Sequence, residues 1–233
     1  MTDLKSDQGF LRFIKKILDN DSITIKIRNL EQAQRIAKYL ANLPQPPTDP
    51  KSNQEQNSPM MVEMAINELL INSIEHGLLK INYNDKTRLL AENAWDIYVN
   101  SELSKLAEDK FITVTCNIRQ NNIEVNIADP GDGFDVSKYG EIVMTEPENK
   151  NTERHGRGHM LIKQFLLNMR YNEKGNEAKF TLPVDMKLLK EMFVIMSQVL
   201  TPQKKSVMFT PIVPAKPSSA STKKNDKDNK PQQ

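Results

Sequence analysis

The sequence predicts an α+β fold, and two observations carry that prediction. Strand-like alternation comes in neighbouring pairs joined by short turns: residues 111–119 and 123–128 flank Asn121-Asn122, and residues 169–172 and 178–182 flank Gly175-Asn176. Segments with apolar residues at helical spacing surround these pairs. The chain has 233 residues, enough for one domain of moderate size with extensions.

Phe10, Leu11, Phe13, Ile14, Ile17 and Leu18 predict a short amphipathic helix within residues 1–20. Residues 22–27 (SITIKI) alternate as a strand, with Ile23, Ile25 and Ile27 on one face. Residues 31–43 follow as a helix that turns Ala33, Ile36, Ala37, Leu40 and Ala41 inward and ends at Pro44. Residues 44–59 are polar and proline-rich and read as a loop. Residues 60–76 predict one long helix, and residues 82–110 one or two more, carrying Leu89, Leu90, Trp95, Tyr98 and Leu106. After the first strand pair, residues 134–154 read as a mobile loop and 158–169 as a helix. Residues 185–200 predict an amphipathic helix striped by Leu189, Met192, Phe193, Met196 and Leu200, suited to packing on the domain or to holding a partner. Beyond Pro202 the composition turns to Lys, Pro, Ser, Asp and Asn, which cannot bury enough apolar surface to order itself.

Net charge is +2, so charge gives no general argument for nucleic acid. The charge is uneven, because residues 203–233 carry seven lysines and two aspartates. A basic end of this kind is most simply a solvated tail. Cys116 is the single cysteine, which rules out an internal disulfide and fits a reducing cytoplasm. No N-terminal apolar run resembles a signal peptide, and none reaches the roughly 18 residues of a membrane span.

Three segments have the composition of a site. In residues 68–77 (ELLINSIEHG), Glu68, Asn72, Glu75 and His76 fall on one narrow helical stripe, within about 100°. Val62, Ala65, Ile66, Leu69 and Leu70 flank it. Asn72 offers an amide oxygen to a hydrated magnesium ion, and Glu68 can accept a proton from a hydroxyl or water. The same stripe reads equally well as a solvent face. In residues 128–134, Asp129 ends an apolar strand and meets the turn Pro130-Gly131-Asp132-Gly133. A carboxylate placed there can accept a hydrogen bond from an exocyclic amine such as that of adenine; a plain turn is the simpler reading. In residues 154–169, Gly156 and Gly158 bare backbone N–H groups at a helix start, between Arg154 and Arg157. That suits an anion, although a glycine-containing helix start is common and the P-loop pattern is missing.

Taken together, the three segments resemble the N box and the two glycine boxes of the GHKL ATPase superfamily, which includes gyrase, histidine kinases and MutL. The likeness is greatest to the branch of anti-sigma-factor serine/threonine kinases. ELLINSIEHG resembles E-x-x-x-N-x-x-x-H-G, IADPGDGF resembles D-x-G-x-G-F, and RHGRGHMLI resembles G-x-G-x-x-L-I. The likeness covers residues 23–184, including a closing strand pair. It implies the Bergerat fold, a two-layer α/β sandwich with a mixed, mainly antiparallel sheet. The expected organisation is a helical extension at 1–21, an ATP-binding domain at 22–184 with a helical insert at 78–110 and a lid at 134–155, a helix at 185–202 and a disordered basic tail at 203–233. By resemblance, Glu68 is the general base toward a serine or threonine hydroxyl and Asn72 binds magnesium. Asp129 holds the adenine amine, with Gly131 and Gly133 shaping the floor. Asn72, Glu75 and His76 belong to the nucleotide-binding set, Gly156, Arg157 and Gly158 contact phosphates, and Thr181 lies near adenine.

The implied function is an ATP- and magnesium-dependent cytoplasmic kinase that phosphorylates a STAS-type anti-sigma antagonist and controls a sigma factor, with a homodimer left open. Nucleic acid and membrane are not among the expected partners. The acidic lid and the insert leave room for a second function, an ATP-dependent switch that holds ATP or ADP without chemistry. A histidine-kinase catalytic domain acting in trans is a third reading.

Overall fold

A computed structural model describes residues 4–47, 58–137 and 162–200. Helix α1 (Leu4–Asp19), strand β1 (Ser22–Ile27) and helix α2 (Leu30–Ala41) come first. Helix α3 (Pro59–Asn72) follows and runs directly into a π-helical segment, Ser73–Leu78. Helices α4 (Tyr83–Ala91) and α5 (Trp95–Lys105) occupy the segment expected as a helical insert. Strands β2 (Ile112–Ile118) and β3 (Asn122–Ala128) make the first hairpin, β4 (Leu167–Tyr171) and β5 (Glu177–Pro183) the second, and α6 (Met186–Leu200) ends the described chain.

Local chemistry sets several of these boundaries. The Asn29 side chain accepts the Gln32 N–H at 2.8 Å and starts α2. Pro59 opens α3, where a missing N–H costs nothing. Asn82 caps α4 by accepting from Asp85 N–H at 2.9 Å. Asn93, with φ of 52°, breaks the insert into two helices. Asp185 caps α6 by accepting from Lys187 N–H and Leu188 N–H at 3.0 and 2.9 Å.

The sheet has five strands in the order β1-β2-β3-β5-β4. Every pairing among the described strands is antiparallel. Burial alternates along β2, β3 and β5, so one face packs on helices while the other stays polar. Val114, Cys116, Val125, Ile127 and Phe180 lie on the packed face, against α2 and α3 residues such as Ala37, Leu40, Ile66 and Leu70. Thr115, Glu124, Asn126, Lys179 and Thr181 lie on the other. The result is the two-layer arrangement of helices on a mainly antiparallel sheet that the sequence led us to expect.

The terminal helices extend this core. Phe10 and Phe13 of α1 stack on Tyr39 of α2 at 5.4 and 5.5 Å, and α1 also packs along α6, where Leu189 is fully buried. Packing on the domain is thus what the α6 stripe does at Leu189, while Ile195 and Val199 remain exposed.

One boundary differs from expectation. Residues 162–165 are helical, but Leu167 already pairs with Thr181 in β4, so the helix expected to reach Met169 stops earlier. Asn168 takes a φ of 54° at the register shift between Leu167 and Arg170, which turns the chain from helix into strand. The tail after residue 200 and most of the expected lid fall outside the described residues. Among the described residues, no helix is long and apolar enough to cross a membrane.

Candidate functional site

A cavity of about 440 Å³ opens between the helical layer and the sheet. Its size falls within the usual range for small-molecule sites, roughly 300–1,000 Å³. From one side, Leu69 and Asn72 of α3 and Ser73, His76 and Gly77 of the π-helical segment line it. From the sheet come Ile127 of β3, Tyr171 of β4 and Ala178 of β5. Asp129, Gly133 and Phe134 contribute from the loop after β3, and Gly175 and Asn176 from the β4–β5 turn.

The floor follows from strand register. Val114, Ile127, Ala178 and Tyr171 form one lateral row across β2, β3, β5 and β4. Ala178 stands between two large side chains, which leaves a flat, apolar slot above it. Tyr171 walls one end, with Phe134 meeting its ring edge-on at 4.9 Å. Burial and the nearby Glu68 carboxylate raise the pKa of the Tyr171 hydroxyl, so it stays neutral.

Asp129 supplies the polar end. Its Oδ1 accepts the Gly131 N–H at 2.9 Å, and the Ser73 hydroxyl also bonds to the carboxylate. Burial raises its pKa, while Gly131, Ser73 and the charges of Lys174 and His76 pull the other way. Glycines make this crowding possible. A Cβ on Gly131 would sit 2.7 Å from Asp129 Oδ1 and from Gly77 Cα, and one on Gly77 would lie 2.6 Å from Asp129 Cβ and nearer still to its carboxyl group.

The loop carrying Asp129 is locked to the β4–β5 turn. Phe134 N–H donates to the Lys174 carbonyl and Asp129 N–H to the Asn176 carbonyl, each at 3.0 Å. The Asn176 amide donates to the Asp129 carbonyl at 3.0 Å, and Lys174 Nζ donates to the Gly131 carbonyl at 2.9 Å. Asn172 Oδ1 holds the turn itself by accepting from Gly175 N–H and Asn176 N–H at 2.8 and 3.1 Å. Outside the cavity, Lys80 pairs with Asp132 at 2.7 Å and lowers its pKa, joining the end of the π-helical stretch to the same loop.

The site residues expected from sequence divide as follows. Asn72, His76, Asp129 and Gly133 come together around the cavity, and Gly131 shapes it from behind Asp129. Glu68 is half-buried one turn before Asn72 and accepts from the Asn72 amide nitrogen at 3.3 Å. Gly156, Arg157 and Gly158 lie outside the described residues. Two expectations are corrected. Glu75 does not reach the cavity: it is 0% exposed, and its carboxylate takes Lys86 Nζ and Trp95 Nε1, both at 2.7 Å. The π-helix is the reason. Its wider turn sets Gly77, five residues on, beneath Asn72, whereas an α-helical wheel sets His76 there and Glu75 beside it. Thr181 sits on the polar face of β5, opposite the side on which Ala178 meets the cavity.

Ser73, Phe134, Tyr171, Asn176 and Ala178 were not singled out from sequence. Ser73 lay inside the same box as Asn72, and Asn172 with Asn176 bracketed a turn that read as an ordinary hairpin. Among the described residues no group of three or more His, Cys, Asp or Glu side chains could hold a metal ion. Asn72, with its amide nitrogen engaged by Glu68, keeps its carbonyl oxygen as an acceptor at the cavity. Cys116 is buried under the helices, where its thiol pKa is pushed up to about 12, and it is inert there.

The donor set fits a purine nucleotide: an apolar floor, a half-buried carboxylate at its end, and glycines that leave that carboxylate its room. Residues 25–182 match the family model described as the histidine kinase-like ATPase domain, which spans more than half of the chain. Comparison with curated proteins gives no match.

Proposed function

The chain belongs to the histidine kinase-like ATPase family, an ATP-binding class, and on that premise we propose that it is a serine/threonine protein kinase of the anti-sigma type. Its substrate would be a STAS-type antagonist and its regulated partner a sigma factor, as the likeness of the three boxes to that branch suggests. The observation that carries the chemistry is the pair Glu68 and Asn72. They lie one helical turn apart and in contact at 3.3 Å, Asn72 facing the cavity and Glu68 just behind it.

In this reading Asp129 accepts the adenine amine, the Ile127–Ala178 floor takes the ring, and the triphosphate runs toward Asn72. Gly156, Arg157 and Gly158 would contact the phosphates. The Asn72 carbonyl would hold a magnesium ion, which when bound neutralises phosphate charge. The partner's hydroxyl oxygen attacks the γ-phosphorus, the bond to the ADP oxygen breaks, and the hydroxyl proton passes to Glu68. The test is phosphotransfer from ATP to a co-encoded STAS antagonist in the presence of magnesium. Glu68→Ala should abolish transfer while keeping nucleotide affinity, and Asp129→Asn should lose both. Undiminished transfer by Glu68→Ala would refute the assignment of the base.

A second reading has its own support, because Glu68 does not line the cavity and its Oε1 is engaged by Asn72. In that reading the protein is a nucleotide-dependent switch without transfer. Partner affinity would then depend on ATP, survive Glu68→Ala and fail in Asp129→Asn.

A further inference from the structure

Among the described residues, Glu75 is a buried charged side chain that neither binding nor phosphotransfer uses. It is 0% exposed, yet it stands between two residues that do different things. Ile74 on one side is core, and His76 on the other lines the cavity. Both Glu75 oxygens are committed: Oε2 to Lys86 of α4 and Oε1 to Trp95 at the start of α5, each at 2.7 Å. The backbone is tied down as well, since the Glu75 carbonyl accepts Ile81 N–H at 2.7 Å. The Ile81 carbonyl in turn faces His76 Nδ1 at 3.0 Å.

A buried carboxylate stripped of water is costly unless its partners are fixed. Here both partners belong to the insert, and the backbone they restrain is a π-helix. Such segments hold a wider turn than the chain adopts on its own and recur at functional sites. This one delivers Ser73, His76 and Gly77 to the cavity. Ser73 bonds to Asp129, and Gly77 leaves that carboxylate its room. Loss of the insert's grip would let the stretch relax toward an α-helical turn, which moves all three residues relative to Asp129.

We propose that Glu75, held by Lys86 and Trp95, is a positioning residue for the nucleotide site, so that the α4–α5 insert and nucleotide binding are energetically coupled. The inference rests on the nucleotide reading of the cavity and is independent of whether a protein is phosphorylated. Coupling is reciprocal, so a partner that changes the insert's hold on Glu75 shifts nucleotide affinity, and nucleotide shifts that partner's affinity by the same factor.

The experiment uses the full chain and ADP, with calorimetric affinity and thermal melting measured side by side. Trp95→Phe removes the indole N–H and keeps most of the ring. Lys86→Met removes the charge and keeps most of the length. Glu75→Gln retains a carbonyl acceptor for Trp95. Trp95→Phe and Lys86→Met should each weaken ADP binding by roughly 5-fold or more, the lower range of coupling between sites. Glu75→Gln should be milder than Glu75→Ala. Trp95 is the only tryptophan, so its emission should change on ADP saturation in the wild type and fail to change in Asp129→Asn. If Trp95→Phe and Lys86→Met lower the melting temperature but bind ADP as the wild type does, the carboxylate merely anchors the insert and the proposal is overturned. These two variants keep the test decisive even where Glu75→Ala does not fold. A wild type that binds no nucleotide would overturn the nucleotide reading and this inference with it.

Discussion

Gly77 lies so close to Asp129 that a Cβ on the glycine would stand 2.6 Å from the aspartate Cβ, well inside van der Waals contact. The glycine lies in the π-helical segment after α3, and the aspartate follows the end of β3 more than fifty residues later. Their contact is where the helical layer and the sheet jointly shape the cavity. Gly77→Ala should therefore displace the carboxylate without touching any apolar contact of the core. The expected result is a folded protein whose ADP affinity falls by about tenfold or more, the value of a hydrogen bond to a charged group. Calorimetry with circular dichroism checks it, and wild-type affinity in Gly77→Ala would refute the steric argument.

Gly133 and Gly175 form a second close pair, and both adopt positive φ, 78° and 77°. A Cβ on Gly133 would approach the Lys174 carbonyl carbon to 2.8 Å, and one on Gly175 would approach the Phe134 nitrogen to 2.8 Å. Each glycine thus makes room for the other's loop. Alanine at either position should destabilise the protein by roughly 1–3 kcal/mol from backbone strain alone. Because both substitutions open the same interlock, the double variant should cost less than the sum of the singles. Denaturant titration of the three variants measures this, and strict additivity would argue that the two loops are independent.

Much of this arrangement was legible in the sequence, and the reasons for the exceptions are physical. The alternation in ITVTCNI and NIEVNIA identified β2 and β3, because one face is buried and the other is not. Asp129 and its glycines read alone as a plain turn, and only the order of the three boxes marks them as a site. The helix before β4 ends earlier than its pattern predicts, because Ile162, Leu166 and Met169 continue a helical spacing through a bulge that sequence does not mark. Glu75 leaves the expected stripe because a wheel assumes the same turn throughout, and nothing in ELLINSIEHG announces a π-helix. Thr181, placed near adenine by resemblance, lies an odd offset from Ala178, which puts it on the other face.

That parity gives a contrast to test. Ala178 lies on the cavity floor between Ile127 and Tyr171, whereas Thr181 faces the polar side of the sheet beside Glu124. Ala178→Leu should fill the slot, abolish ADP binding and leave the fold intact, since the added atoms enter a cavity and not the packed core. Thr181→Ala should leave ADP affinity within about twofold, as expected of a surface position distant from the ligand. Tyr171→Ala should weaken binding and Tyr171→Phe should not, because the wall is the ring. A loss of affinity in Thr181→Ala would show that the ligand reaches the other face.

Asp129 makes the last prediction one of pH. Burial is the largest influence on its carboxyl and raises its pKa above the ordinary aspartate value. The folded protein therefore holds that proton more tightly than the unfolded chain does. By linkage, this group favours folding most at low pH, and the contribution fades as pH rises through the raised folded value. Binding has the opposite sign. The adenine amine needs the ionised carboxylate as acceptor, so ADP affinity should fall as pH drops through the raised value, above the roughly 3.9 of a free aspartate. The charges of Lys174 and His76 face the same group and favour its ionised form. Asp129→Asn keeps both of these residues and removes the carboxylate. Affinities measured from about pH 7.5 down to about pH 4.5 should decline in the wild type. The Asn variant should bind weakly and show a flatter profile over the same range. Parallel profiles in the two proteins would mean that Asp129 does not carry the hydrogen bond.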